Sequence, residues 1–284
     1  TRLPETFEAH AKAQGFRQDF KLYGTDDEYD GSQVNAVLGN RHGKLAWFAG
    51  VSHLDNHGHP MSFATGATST TAAGGGDTVV TGAHQDRDAN GNGRVVYGAT
   101  GIDHTVQDNF KLRLTYDLAP ALRASYLLGY WQNDSDVTVQ SYLRDAAGNP
   151  VYSGNVNIGG FRYTLATSAF RPSKRTEEHW MHGLSLKTDT KGEWDFEAAL
   201  TYYTFGKDEQ RSPTTALPGA QSGGAGRIAL ADGNGWRTLD LKADWRPGRE
   251  QGRHEASFGY HYDRYTLDSR VFNTANWLNG GTTT

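Results

Sequence analysis

The chain has 284 residues, with 28 Lys and Arg against 32 Asp and Glu, and its net charge of -4 excludes the basic footprint of a nucleic-acid binder. It has no cysteine, which excludes a disulfide framework and thiolate chemistry. Mean hydropathy is -0.67, and no apolar run reaches the roughly 18 residues of a membrane-spanning helix. A transmembrane β-barrel escapes that last test, because half of each strand faces a polar lumen. The 35 glycines and the 12 % aromatic content fit such a barrel. The chain shows no initiator Met and no signal peptide, so its N-terminus is expected to be processed or cut from something larger.

From the N-terminus, Phe7, Ala9, Ala11 and Ala13 alternate with Glu8, His10, Lys12 and Gln14. That period of two is the mark of a strand with one apolar face. Gly15 is expected to form a bulge before Phe20 and Leu22, since glycine tolerates the required kink. Val34, Ala36 and Leu38 predict a second strand, and Leu45, Trp47, Ala49 and Val51 a third. The clearest pair spans Asn109 to Trp131: Phe110, Leu112, Leu114, Tyr116 and Leu118 alternate with polar residues, and Leu122, Ala124, Tyr126, Leu128 and Tyr130 repeat the pattern after Ala119-Pro120. Further strands follow at Trp180–Leu186, Trp194–Tyr202, Leu239–Trp245 and Ala256–Tyr262. In all, about nine long strands meet the criterion, longer than the usual 5–6 residues and matched to a tilted bilayer crossing.

Short turns at 40–43, 119–120, 189–192 and 247–252 are expected to alternate with long Gly-, Ser-, Thr- and Asn-rich loops at about 57–103, 134–175 and 206–234. Short periplasmic turns and long extracellular loops are the rhythm of an outer-membrane barrel. Trp194 and Trp245 sit beside short turns, while Tyr130, Tyr202 and Tyr262 sit near the long loops, as interfacial girdles require. A soluble propeller or sandwich also alternates, but the strands are too long for blades and no repeat of about 40–50 residues is present. The expected fold is therefore all-β, a transmembrane antiparallel barrel. About nine strands cannot close a bacterial barrel of even count, so the chain is read as part of one. The closing Gly280-Gly281-Thr282-Thr283-Thr284 reads as a loop.

Several ordered strings resemble the TonB-dependent outer-membrane receptors of the ferric-siderophore type. They are Thr1-Arg2-Leu3-Pro4 followed by Phe7-Glu8-Ala9, Leu22-Tyr23-Gly24-Thr25-Asp26-Asp27, Leu54-Asp55 with Pro60-Met61-Ser62-Phe63, and Tyr116-Asp117-Leu118. Gly129-Tyr130-Trp131-Gln132-Asn133, Gly183-Leu184-Ser185-Leu186-Lys187, Gly223-Gly224-Ala225-Gly226 and Ser257-Phe258-Gly259-Tyr260-His261 continue the series. The resemblance covers nearly the whole chain and implies that residues 1–284 are roughly the first half of a plugged barrel of about 22 strands, with the plug domain and its TonB-contacting segment outside this chain. It further implies a bacterial outer-membrane location and active import of a metal chelate. The implied partners are the siderophore ligand, TonB through the plug region, and outer-membrane lipid and lipopolysaccharide, without nucleic acid or a resident cofactor.

Candidate site residues fall into three groups. His53, His57, His59 and Met61 offer imidazole and thioether ligands that suit copper or iron, although polar loop histidines facing water or lipopolysaccharide have the same look. Trp131, His179, Tyr203 and Phe205 offer flat apolar contact to a chelate, and Arg144, Arg162 and Arg211 could attract an anionic one. Asp86-Arg87-Asp88-Ala89-Asn90-Gly91 matches the first half of a calcium loop, but the twelfth position is Tyr97 where a glutamate is needed. Lys111, Arg113, Arg123, Glu197, Asp240, Lys242, Asp244, Glu255 and His261 are expected on the lumen face, where the resemblance implies contacts to the plug. No nucleophile elbow is present, so an enzyme is not expected; a passive porin or a barrel enzyme is the alternative.

Overall fold

The computed structural model describes residues 3–249 and 252–283. Thr1 and Arg2 of the first resembling string, two positions of the expected 247–252 turn, and Thr284 lie outside the described residues. The described chain is all-β, with a single 3-10 turn at Gly219–Ser222 and no α-helix.

Nine long strands run as an up-and-down meander: β1 (Glu8–Leu22), β2 (Thr25–His42), β3 (Leu45–His57), β4 (Gly93–Ala119), β5 (Leu122–Ser141), β6 (Ser173–Thr188), β7 (Trp194–Pro213), β8 (Gly235–Trp245) and β9 (Ala256–Thr266). Every consecutive pair is antiparallel. Among the described residues β1 pairs only with β2 and β9 only with β8, so the sheet is open at both edges.

Register turns the alternation of each strand into a property of the whole sheet. Trp47 lies opposite Leu114, Leu114 opposite Tyr126, Tyr126 opposite Leu184, Leu184 opposite Leu200, Leu200 opposite Leu239, and Leu239 opposite Tyr262. One rung thus carries an unbroken apolar row across seven strands, on one face. These side chains pack against nothing on their outer side: Leu184 is 54 % exposed, Leu200 51 % and Phe258, on the same face, 56 %. Soluble proteins seldom leave so large an apolar surface uncovered. At the short-turn end Trp194 pairs with Trp245, their rings 6.1 Å apart. Eight residues further along β7, about 26 Å at the rise of a strand, Tyr202 sits under the Arg237 guanidinium, 5.3 Å from it. At the 35–45° tilt of barrel strands that length spans a height of roughly 20 Å, close to an apolar band about 25 Å tall.

The next rung shows the other face, where Phe48, Arg113, Leu127, Gly183, Thr201, Thr238 and Asp263 lie in series. Eight of the nine polar residues expected to share a face do so in register, Glu255 lying just before β9, and several pair within the sheet. Lys187 binds Glu197 at 3.1 Å, Lys242 binds Asp244 at 3.0 Å and Arg123 binds Asp117 at 2.7 Å.

Four expectations need correction. Gly15 makes no bulge: it pairs with Ser32 in an uninterrupted ladder, so Phe16, Phe20 and Leu22 share the face of His10 and Lys12. β1 and β2 also run on beyond the apolar band to a two-residue turn at Tyr23-Gly24. There the outward face turns ionic, with Arg17–Glu28 and Lys21–Asp26 pairs. The loops are shorter than expected because β4, β5 and β7 project past the band. They span 58–92, 142–172 and 214–234. Finally, Thr282–Thr283 forms a short strand against Asn273-Thr274 where a loop end was expected.

The projecting ends and loops build the hydrophobic core, which lies away from the apolar band. Ser62–Ala67 and His84–Arg87 pair with the start of β4, and a hairpin of Gly154–Ile158 and Phe161–Leu165 takes Thr78–Val79 alongside. Ala64, Val80, Val95, Tyr97, Leu143, Val156, Tyr163, Leu165, Phe170, Leu217 and Ala220 are buried together there. The hairpin tip of β1 and β2 docks on this unit: Thr25 Oγ1 lies 2.6 Å from Tyr142 Oη, and the Tyr23 ring meets Phe63 at 5.0 Å.

Candidate ligand site on the polar face

At the upper end of the polar face the small and charged residues give way to rings. β5 supplies Trp131, β6 supplies His179, β7 supplies Tyr203 and Phe205, and β8 supplies Trp236. Each follows from alternation along its strand, and register sets them side by side. His179 stacks on Phe205 with centroids 4.1 Å apart, and the Trp131 ring lies 4.9 Å away. Tyr203 Oη is 2.7 Å from His179 Nδ1, and the Tyr203 ring stacks on Trp236 at 4.1 Å. The four aromatic candidates named from sequence therefore form one group, extended by Trp236. Such a surface offers flat, polarisable contact with a polar tip, suited to the planar ligands of a chelate.

Beside these rings lies a charged set that sequence reading missed. A bulge at Gly206 shifts the β6–β7 register, so His179 faces Phe205 while Glu177 faces Asp208. Arg175 bridges both carboxylates, its Nη2 2.9 Å from Glu177 and 3.1 Å from Asp208. Asn133 Nδ2 donates to Glu177 at 2.9 Å. The spacing of Glu177 and His179 was legible as one strand face; the arrival of Asp208 depended on the bulge and was not.

The three candidate arginines lie apart from the rings, each already engaged. Arg144 donates to the carbonyls of Ser141 and Leu143, Arg162 binds buried Asp77 at 2.8 Å, and Arg211 binds Glu209 at 2.6 Å and donates to the Gly280 carbonyl. The Arg162 guanidinium holds the Asp77 carboxyl below its usual range, and Asp77 in turn raises Arg162.

The four candidate metal ligands are not gathered together. His53 pairs with Asp108 at 2.8 Å, His59 stacks on Phe20 at 4.7 Å, and Met61 is exposed. His57 instead stacks on His104, 3.9 Å between centroids, and His104 Nε2 lies 2.8 Å from Asp55. This group, on the outward face above the apolar band, is open to solvent.

In the calcium-like loop the carboxylates are turned to protein partners. Asp88 accepts from the backbone amides of Asn90 and Asn92. Asp86 accepts from Tyr23 Oη at 2.6 Å and from Arg94 Nε at 2.8 Å. The tyrosine hydroxyl and the Arg94 guanidinium together hold the Asp86 carboxyl at about 2, against an ordinary 3.8. A depressed carboxylate contributes stability above its unfolded-state value and loses it as pH falls through its folded value. The link between the β1–β2 tip and the loop unit is therefore expected to weaken between pH 3.8 and about 2. Pepsin cleavage near Tyr23 checks this: the rate rises across that window relative to Asp86→Asn, in which the link is already weakened. Equal rates for the two proteins at every pH would count against the link.

In comparisons with known proteins, no family model, curated protein or solved structure matches this chain.

Proposed function

We propose that this chain forms part of the wall of a bacterial outer-membrane, TonB-dependent receptor that imports a ferric siderophore or similar metal chelate. The observation that carries the membrane reading is the rung from Trp47 to Tyr262, a half-exposed apolar row across seven strands, while the next rung, on the opposite face, is mixed, with Arg113, Thr201, Thr238 and Asp263 as its polar members. Lipid is the solvent that covers such a row without cost, and in lipid the open edges at β1 and β9 need further strands of the barrel to satisfy their backbone groups. On this reading the polar face is lumen, roughly the first half of a wall of about 22 strands around a plug. The aromatic group around His179 then lies near the extracellular mouth, where a chelate would first meet the wall. The resembling strings support the receptor reading over other barrels. Binding needs no covalent chemistry; transport needs energy passed through TonB to the plug.

Uptake of labelled ferric chelate by cells carrying the full-length protein tests the proposal. Uptake is expected to stop when the proton-motive force is dissipated. Uptake that continues unchanged would replace active import with passive passage through a porin.

A further inference from the structure

We propose that Glu177, His179 and Asp208 form a binding site for a single divalent transition-metal ion of the zinc class. One ring nitrogen of His179 and one carboxylate oxygen from each acid lie within 4.8 Å of one another, so a modest closure brings all three to one ion. The three residues come from two paired strands and are buried: His179 is 8 % exposed, Glu177 6 % and Asp208 7 %. A solvated surface cluster has neither feature.

The second observation is a pair of buried polar atoms without a partner. His179 Nε2 and Asn133 Oδ1 are both buried and make no hydrogen bond. His179 Nδ1 is taken by Tyr203 Oη at 2.7 Å, so with the proton on Nδ1 the lone pair lies on Nε2. Asn133 gives its amide hydrogen to Glu177, which leaves its carbonyl oxygen as the spare group. Buried lone pairs without a partner are costly and rare. Two carboxylates, an imidazole nitrogen and an amide oxygen all call for a cation.

Arg175 supplies part of that charge through its contacts to Glu177 and Asp208. A guanidinium cannot serve as a common centre for all four groups, and its side chain is 44 % exposed, free to swing toward solvent when an ion enters. Arg175 thus acts as a stand-in that an ion displaces. One imidazole with two carboxylates suits zinc and its neighbours; calcium, which takes an all-oxygen shell, fits poorly. Tyr203 Oη, accepting from Nδ1–H, would fill the place of the outer partner that orients a metal-ligating histidine. The site shares His179 with the aromatic group, but its test is separate from chelate import, since a bare ion needs neither plug nor TonB.

Titration of the detergent-purified protein with zinc chloride and, separately, calcium chloride tests the site, followed by calorimetry and by tryptophan fluorescence from Trp131, whose ring is 4.9 Å from His179. One zinc per chain is expected, with quenching or enhancement of Trp131, and no calcium signal at the same concentrations. Tyr203→Phe should weaken zinc by about 10–100-fold, as loss of an outer partner does, and His179→Ala and Glu177→Gln, which remove ligands, should each weaken it more. Arg175→Gln should bind zinc more tightly, because the competing cation is gone. Circular dichroism of each variant separates loss of binding from loss of fold. If Arg175 is only a structural counter-ion, Arg175→Gln gains no zinc affinity and the proposal fails. It also fails if the folded wild-type protein binds no zinc, or if zinc binding survives His179→Ala undiminished, which would place the ion elsewhere, such as at His57 and His104.

Discussion

Replacing Leu241 by arginine is expected to block assembly of this chain into a bilayer, while a lysine at Ser185 should leave assembly intact. Leu241 sits on the apolar face of β8, opposite Ala198 and Tyr260, midway between the Trp245 end and the Tyr202–Arg237 level. A cation at mid-depth on the lipid face of a barrel costs about 2–4 kcal/mol, against about 0–1 near the interfaces. Ser185 lies at similar depth but on the other face, between Ser125 and Ala199, where Lys187 and Glu197 already pair. Leu114→Glu, also in the apolar row, should impair assembly less than the arginine, since acids are tolerated better there. The measurement is the fraction of full-length protein that becomes heat-modifiable and protease-resistant in lipid vesicles. Equal assembly of the Leu241→Arg and Ser185→Lys proteins would show that the assigned faces, and with them the membrane reading, are wrong.

Truncating Phe170 to alanine is expected to cost about 3–5 kcal/mol, among the largest effects of any single core substitution. Phe170 is 2 % exposed at the heart of the loop unit, with its ring edge-on to Tyr152 at 5.5 Å. It also lies so close to Gly98 that a Cβ there would come within 2.6 Å of the ring, so the backbone of β4 is moulded around it. The loss should fall on the loops alone, because the long strands are held by their ladder hydrogen bonds. Limited proteolysis in vesicles should therefore cut within 58–92 and 142–172 many times faster in Phe170→Ala, while the strands stay protected. Unchanged loop cleavage would mean that the loop unit does not depend on this core.

The two predictions divide along the line that separates what could be read from the chain and what could not. The sheet was legible: nine period-two segments become nine long strands, and the strand residues assigned to the apolar and polar faces share a face in register. The exception at Gly15 is instructive. Glycine permits a bulge without requiring one, and the unbroken pairing of β1 with β2 settled the matter. At Gly206 the reverse happened, where a bulge arose inside a segment that looked like a loop. The loop unit was read as generic because its glycines interrupt any period, yet Val95, Tyr97, Leu143 and Phe170 collapse together from three distant stretches.

The candidate site divides in the same way. Trp131, His179, Tyr203 and Phe205 were found because each ring stands out within its own strand. Glu177, Asp208 and Asn133 look like ordinary strand charges and amides until register places them around one imidazole. Alternation is a local property, set by the pleat of a single strand, so the all-β class, the long strands and their facing are written along the chain, whereas the short strands of the loops are not. Which polar groups meet is set by pairing between strands, where one bulge moves a carboxylate to a different neighbour. Only the folded sheet decides that, and it is there that Glu177, His179 and Asp208 become a site.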